Sequence, residues 1–151
     1  GYITTSGKDP ALYTETLLPA VAEGAAKAGR SVAELDMMME VKVSFDHDRD
    51  RAMEATRFWG ALGLTPDQKQ GVEDPVEMQR LADALTAEQT ARRFIVSTDP
   101  DEHVARIKQY IDLGFNHVVF HAPGPDQSRF LQLYSAEVLP RLRALASEPT
   151  A

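Results

Sequence analysis

The sequence predicts an α/β domain built on parallel strands, a part of a barrel or of a doubly wound sheet. Short apolar runs alternate with segments of helical periodicity, and no hairpin signal joins any two runs. Such βα alternation implies parallel strands with right-handed crossovers. Asn116–His121 is nearly continuous in apolar residues, the pattern of a strand covered on both faces. Three good strands are present, and an α/β sheet of that size leaves two long edges. The chain also opens inside an apparent strand, with no initiator Met and no signal peptide, so it is expected to be a piece of something longer.

Gly1–Thr4 is expected as the first strand, followed by the small-residue turn Thr4-Thr5-Ser6-Gly7-Lys8. Asp9 to about Ala28 is expected as a helix, with Leu12, Leu17, Leu18, Val21 and Ala25 near the 3.6-residue period, a kink at Pro19 and a stop at Gly29. Met37–Phe45 ends in the alternation Val41-Lys42-Val43-Ser44-Phe45, a strand pattern. Arg49–Leu62 reads as a helix with Ala52, Ala55, Phe58 and Trp59 on its inner face. Leu64–Asp74 is a loop or a set of short turns. Pro75 opens a helix to about Leu85. Thr86 and Gln89 form a capping box for a short helix ending near Arg92 or Arg93. Phe94–Ser97 is a brief β-like run. Thr98 or Asp99 caps a helix with Pro100 just inside it, which runs to about Leu113 and is closed by Gly114. Asp126 begins the last helix, with Phe130, Leu131, Tyr134, Val138, Leu142 and Leu145 expected in the core and a bend at Pro140.

A chain of 151 residues can bury a core of its own as one domain. Its net charge of −7 argues against nucleic acid or anionic membrane as main partner, so a small anion would need a local cluster of cations. The absence of cysteine removes disulfides, thiolate metal sites and thiol nucleophiles. No apolar run approaches the ~18 residues of a membrane helix.

A strand, a small-residue turn and a helix start form a place where anions bind, through free backbone N–H groups and the helix dipole. Thr4–Lys8 has that form, with hydroxyls, a glycine and a lysine. It is not a Walker A loop. The other reading is a helix cap with a solvated lysine, and both stand at this point. In a barrel, Thr4–Lys8, Asp46–Asp48 and His121–Gly124 would share the rim where strands end. His121 there is either a base or ligand, or, more commonly, a histidine bonded to loop backbone. Asp46 and Asp48 around His47 read as helix-capping acids rather than a metal site. His103 and His117 are expected to be structural. Trp59 is expected in the core, Arg92-Arg93 as a solvated helix end and Lys69 as plain surface.

The chain nevertheless resembles the C-terminal part of the coenzyme F-420-dependent glucose-6-phosphate dehydrogenases, within the bacterial luciferase-like superfamily of (β/α)8 TIM barrels. The resemblance runs over nearly the whole chain. It rests on Thr5-Ser6-Gly7-Lys8, Leu12-Tyr13-Thr14-Glu15, Leu18-Pro19-Ala20-Val21, Thr56-Arg57-Phe58-Trp59, Asp83-Ala84-Leu85, Asp99-Pro100-Asp101-Glu102 and Asn116-His117 with Val119-Phe120-His121-Ala122-Pro123-Gly124. It implies an oxidoreductase that moves a hydride from C1 of glucose 6-phosphate to C5 of coenzyme F-420, an 8-hydroxy-5-deazaflavin, giving 6-phosphogluconolactone. It further implies a cytoplasmic homodimer. By position, the family's sugar-phosphate ligands fall on Thr5, Lys8, Lys69 and Arg93, and all four residue types match. The base, the acid, the active-site tryptophan and most coenzyme contacts belong to the N-terminal half, which this chain lacks; Trp59 does not stand in for that tryptophan. The alternatives are another F-420- or flavin-dependent oxidoreductase of the superfamily, and a non-catalytic fragment that needs the missing half.

Overall fold

A computed structural model describes residues 1–147. Its strands are β1 (Tyr2–Thr5), β2 (Met37–Phe45), β3 (Ile95–Ser97) and β4 (His117–His121). All described pairings are parallel, as the absence of hairpin signals predicts. β2 is the common partner: Tyr2↔Met37 through Thr5↔Glu40 joins β1, and Met38↔His117 through Lys42↔His121 joins β4. The short β3 pairs with the far end of β2, from Val43↔Ile95 to Phe45↔Ser97. The brief run before Asp99 is thus a fourth strand.

β2 has two chemically distinct faces. Met37, Met39, Val41, Val43 and Phe45 are all buried and meet Tyr13, Ile107, Phe115, Tyr134 and Val138 in one core cluster. Successive strand residues point to opposite faces, so Glu40, Lys42 and Ser44 lie on the other side. β4 follows the same alternation: Val118 and Phe120 join the core cluster, while His117 is exposed. It is therefore not a strand apolar on both faces.

The helix after β1 begins with a π-helical stretch, Leu12–Leu17, that runs into α1 (Leu18–Lys27). The wider turn sits just before Pro19, whose missing N–H cannot complete a regular α ladder. It shifts the phase of the apolar face. Tyr13 is 2% exposed while Leu12 is 37% exposed, which corrects the expected core position of Leu12. Gly29 ends the segment with φ +67. A capped 3₁₀ turn, Val32–Glu34, leads into β2.

The expected helix from Arg49 to Leu62 is broken. α2 (Arg49–Ala55) gives way to a 3₁₀ segment, Thr56–Gly63, in which Trp59 is non-helical. Small residues, not aromatics, make its inner seam: Ala52, Thr56 and Gly60 are buried, and Thr56 Oγ1 lies 2.7 Å from Thr90 Oγ1. A Cβ on Gly63 would sit 2.6 Å from the Gln89 carbonyl oxygen. Phe58 and Trp59 are 61% and 38% exposed. Short helices follow: α3 (Pro66–Lys69), α4 (Pro75–Asp83) and α5 (Ala87–Ala91), the last with the expected capping box on Thr86 and Gln89.

α6 (Pro100–Asp112) starts on the Asp99 cap and ends before Gly114, at φ +94. Beyond β4 the expected single helix divides into α7 (Gln127–Glu137) and α8 (Leu139–Ser147), with the break just ahead of Pro140. Phe130, Tyr134, Val138 and Leu142 contribute to the core, whereas Leu131 is 62% exposed.

His103 on α6 is fully buried beside Phe45 and Tyr134, with ring centroids 5.2 and 5.6 Å away. Burial lowers its pKa to about 4, against smaller opposing effects of the Ser97 backbone and Glu102. A histidine held neutral in the fold binds its proton more readily once unfolded. Stability should therefore fall as pH drops from about 6.5 to about 4, by up to roughly 3 kcal/mol from this group. Urea unfolding of the native protein and of His103→Leu across that window should show a flatter pH profile for the variant.

Candidate functional site

The strand ends carry the polar chemistry. Asp46, just after β2, accepts from Arg129 Nε at 2.6 Å and Nη2 at 3.1 Å, and from Arg51 Nε at 3.3 Å. The Arg129 hydrogen bond in particular holds its carboxyl far below the ordinary carboxylate range. Asp48 is the helix cap expected from the sequence, accepting from the backbone of Asp50 and Arg51. Asp46 instead clamps two arginines, one of them from α7.

His121, at the end of β4, is not bonded to loop backbone. Its Nε2 lies 3.9 Å from Glu40 and its ring stands edge-on to Trp59 at 5.9 Å. His117 pairs with Asp36 at 3.2 Å and His47 with Glu137 at 2.7 Å. A cavity of about 270 Å³ near the rim is lined by Phe45, Ala55, Phe58, Ala122 and Phe130 among others; Thr5, Lys8, Lys69 and Arg93 do not line it.

The turn after β1 differs from a free anion nest. Gly7 N–H donates to the Tyr110 hydroxyl at 3.3 Å and Lys8 N–H to the Tyr13 hydroxyl at 3.4 Å. Tyr13 in turn donates to the Thr5 carbonyl at 2.7 Å. Burial, with Tyr110 next in effect, pushes the Tyr13 hydroxyl up to about 12, so it keeps the proton it donates. The expected free backbone donors are thus already occupied by two tyrosines. What remains for an anion is side-chain charge.

That charge collects around Gly7. Its φ of +75 is left-handed, and a Cβ there would lie 2.9 Å from the Arg93 carbonyl oxygen and 3.3 Å from Arg93 Nε. Arg93, which precedes β3, is therefore packed directly on the turn that carries Lys8. Lys8 Nζ rests on Thr4 Oγ1 at 3.1 Å. Arg93 Nε is buried without a hydrogen-bond partner among the described residues, so Arg93 is not a plain solvated cation, whereas Arg92 is exposed as expected. Thr5 is half-buried, in register with Glu40 on β2. Lys69 is half-buried at the end of α3. The structure brings the Lys8 turn and Arg93 together, and Lys69 comes from a separate segment.

Sequence reasoning missed Lys42. It is 7% exposed, and its Nζ is buried without a hydrogen-bond partner. The signal was available in the alternation of β2, which puts Lys42 between Glu40 and Ser44 on the face opposite the apolar core. Burial, then Arg93, lowers its pKa; Glu40 opposes that effect and Lys8 adds to it.

Residues 1–117 match the family described as luciferase-like monooxygenase. The chain is 67% identical over 148 residues to an F420-dependent glucose-6-phosphate dehydrogenase of Nakamurella multipartita, covering 98% of this chain and 44% of that protein. A protein of the same name from Beutenbergia cavernae is 65% identical over 144 residues, covering 95% and 43%. The chain thus spans less than half the length of the curated relatives it matches. Among solved structures, an F420-dependent secondary alcohol dehydrogenase in complex with an F420-acetone adduct superposes with a TM-score of 0.74 at 29% identity, covering 93% of this chain and 42% of that one. A coenzyme F420-dependent tetrahydromethanopterin reductase from Methanopyrus kandleri gives 0.67 at 26% identity, covering 93% and 44%.

The Gly7 geometry yields a test of the turn itself. Gly7→Ala should cost about 1–3 kcal/mol, because the left-handed backbone and the Arg93 carbonyl both oppose a methyl group. Gly24→Ala on exposed α1, where nothing lies within 4 Å, should instead be neutral or stabilising by about 0.5–1 kcal/mol. Thermal melts of the two variants should move in opposite directions or differ by several degrees.

Proposed function

The chain belongs to the luciferase-like monooxygenase family, and we propose that the protein containing it oxidises glucose 6-phosphate with coenzyme F-420. Its fold is the C-terminal part of a (β/α)8 barrel of the bacterial luciferase-like type. The proposed reaction transfers a hydride from C1 of the sugar to C5 of the coenzyme. The C1 hydroxyl proton passes to a base, and 6-phosphogluconolactone is the product. Thr5, Lys8, Lys69 and Arg93 are the proposed ligands of the phosphate. The observation that carries this reading is the packing of Arg93 against the Lys8 turn, with a buried donor that has no partner. Such a donor favours a ligand rich in acceptor oxygens.

This chain would be the phosphate end of the site. Residues 1–151 would form part of a single barrel domain whose N-terminal half lies outside the chain. On the family resemblance, the base and most of the coenzyme's contacts are assigned to that other half. The working unit would be a cytoplasmic homodimer. Among the described residues, no helix is long and apolar enough to cross a membrane. The chain alone is expected to be inactive; steady coenzyme reduction by the purified 151-residue chain would refute this division.

Each charge-assisted hydrogen bond to phosphate contributes roughly 1.5–3 kcal/mol. In the full-length protein, Lys8→Ala, Lys69→Ala and Arg93→Ala should each weaken use of glucose 6-phosphate by about ten- to a hundredfold. The loss should fall mainly on KM, because the phosphate is remote from C1 and is held alike in ground and transition states. Turnover of unphosphorylated glucose should barely change. Equal losses on both sugars would show that these residues serve something other than the phosphate.

A further inference from the structure

We propose that Lys42 is a direct ligand of the same phosphate, a further cation beside the Lys8 turn and Arg93. The inference rests on the phosphate-site reading above and adds a residue to it. Lysine is almost never buried unless it is paired. Lys42 is nevertheless 7% exposed, and its Nζ has no hydrogen-bond partner among the described residues. Its location at the centre of the sheet makes this costly, because a buried donor left unsatisfied loses its hydration without return.

The charges around it name the missing partner. Arg93 and Lys8 both act on Lys42, and both are cations. Arg93 Nε is a second buried donor without a partner. Arg93 and Lys42 repel each other as like charges, and an anion bound by both would remove that repulsion. Glu40 acts on Lys42 in the opposite sense, and its carboxylate lies 3.9 Å from His121 Nε2. The burial that lowers the Lys42 pKa would be offset by an anion, which favours the ammonium form.

The backbone fixes Lys42 to the phosphate turn. Its N–H donates to Ser6 Oγ at 3.0 Å, and Ser6 directly precedes Gly7 and Lys8. Ser6 N–H donates to the Glu40 carbonyl at 2.8 Å, so the turn and the strand are tied at two points. Lys42 also stands on the strand that pairs with every other described strand. Only its four-carbon stem is free to swing the ammonium toward an incoming oxygen.

The test uses the full-length protein and inorganic phosphate as probe, with glucose 6-phosphate and coenzyme F-420 titrated separately. The coenzyme carries a phosphodiester of its own, so the two titrations distinguish the two sources of phosphate. In Lys42→Met, which keeps the stem, the Kd for phosphate and for glucose 6-phosphate should rise about ten- to a hundredfold. Affinity for coenzyme F-420 should be unchanged, and Lys42→Arg should recover part of the loss. Unchanged phosphate binding in Lys42→Met overturns the inference and leaves the phosphate site of Lys8 and Arg93 intact. Loss of coenzyme affinity alone also overturns it. If the native protein binds no phosphate, the reading under Proposed function fails as well. Should Lys42→Met not fold, the native protein with ¹⁵N-labelled lysine decides: phosphate should shift the Lys42 amine resonance, and an unmoved resonance rejects the assignment.

Discussion

The alternation of β2 is the constraint on which the rest of the structure depends. Every other described strand pairs with it, so its two faces set what lies on either side of the sheet. One face is Met37, Met39, Val41, Val43 and Phe45, packed under the helices. The other holds Glu40, Lys42 and Ser44. A slip of one residue in register would exchange these sets, burying a carboxylate and an ammonium among Tyr13, Ile107 and Tyr134. The strand is therefore pinned by what it cannot place in the core as much as by what it buries there. The pinning also fixes where the polar side chains stand, which is the condition for using them as a site.

The same economy operates in the turn after β1. Tyr13 and Tyr110 belong to the core cluster or pack against it, and their rings meet edge-on at 5.9 Å. Their hydroxyls reach out of that cluster to the N–H groups of Lys8 and Gly7. The turn is held by groups whose positions are set by apolar packing. Gly7 then leaves room for Arg93, whose backbone occupies the space a side chain would need. Residues 5–8, 42 and 93 are thus assembled by sheet pairing, tyrosine packing and one missing Cβ. Such assembly carries little reorganisation cost when a ligand arrives.

What was legible in the sequence was local or periodic. The Thr86–Gln89 capping box, the Asp99 cap and the Met37–Phe45 strand follow from chemistry within a few residues. The parallel topology follows from the order of strands and helices. The failures share a different cause. A π-helical turn before Pro19 rotates the helix face, so Tyr13 takes the place a 3.6-residue period gives to Leu12. Phe58 and Trp59 are exposed where the regular helix gives way to a 3₁₀ segment with Trp59 non-helical, a break that a 3.6-residue period does not announce. On the site, residue-by-residue reading reached an anion turn at Lys8 and no further; Lys69 and Arg93 entered through the family resemblance. Lys42 stayed hidden because a lysine in an alternating strand is normally a solvent-facing residue.

The acidic balance of the chain does not oppose an anion site. Much of its cationic charge is already spent on neighbours: Lys27 with Glu23, Arg80 with Glu77 and Lys108 with Asp112 lie one helical turn apart on exposed surface. These pairs contribute little to stability, yet they leave little field for a passing anion. Arg129 and Arg51 are committed to Asp46. Lys8 Nζ by comparison donates to a neutral hydroxyl, and among the described residues Lys42 and Arg93 keep buried donors unfilled. Net charge averages over paired and unpaired groups, whereas a ligand responds to the unpaired ones near it. On the proposed reaction this has a mechanistic use. The phosphate is far from C1, so cations confined to this end can grip the substrate without disturbing the charge that develops at the reacting carbon. Their binding energy then holds the substrate alike in ground and transition states, and so acts on KM.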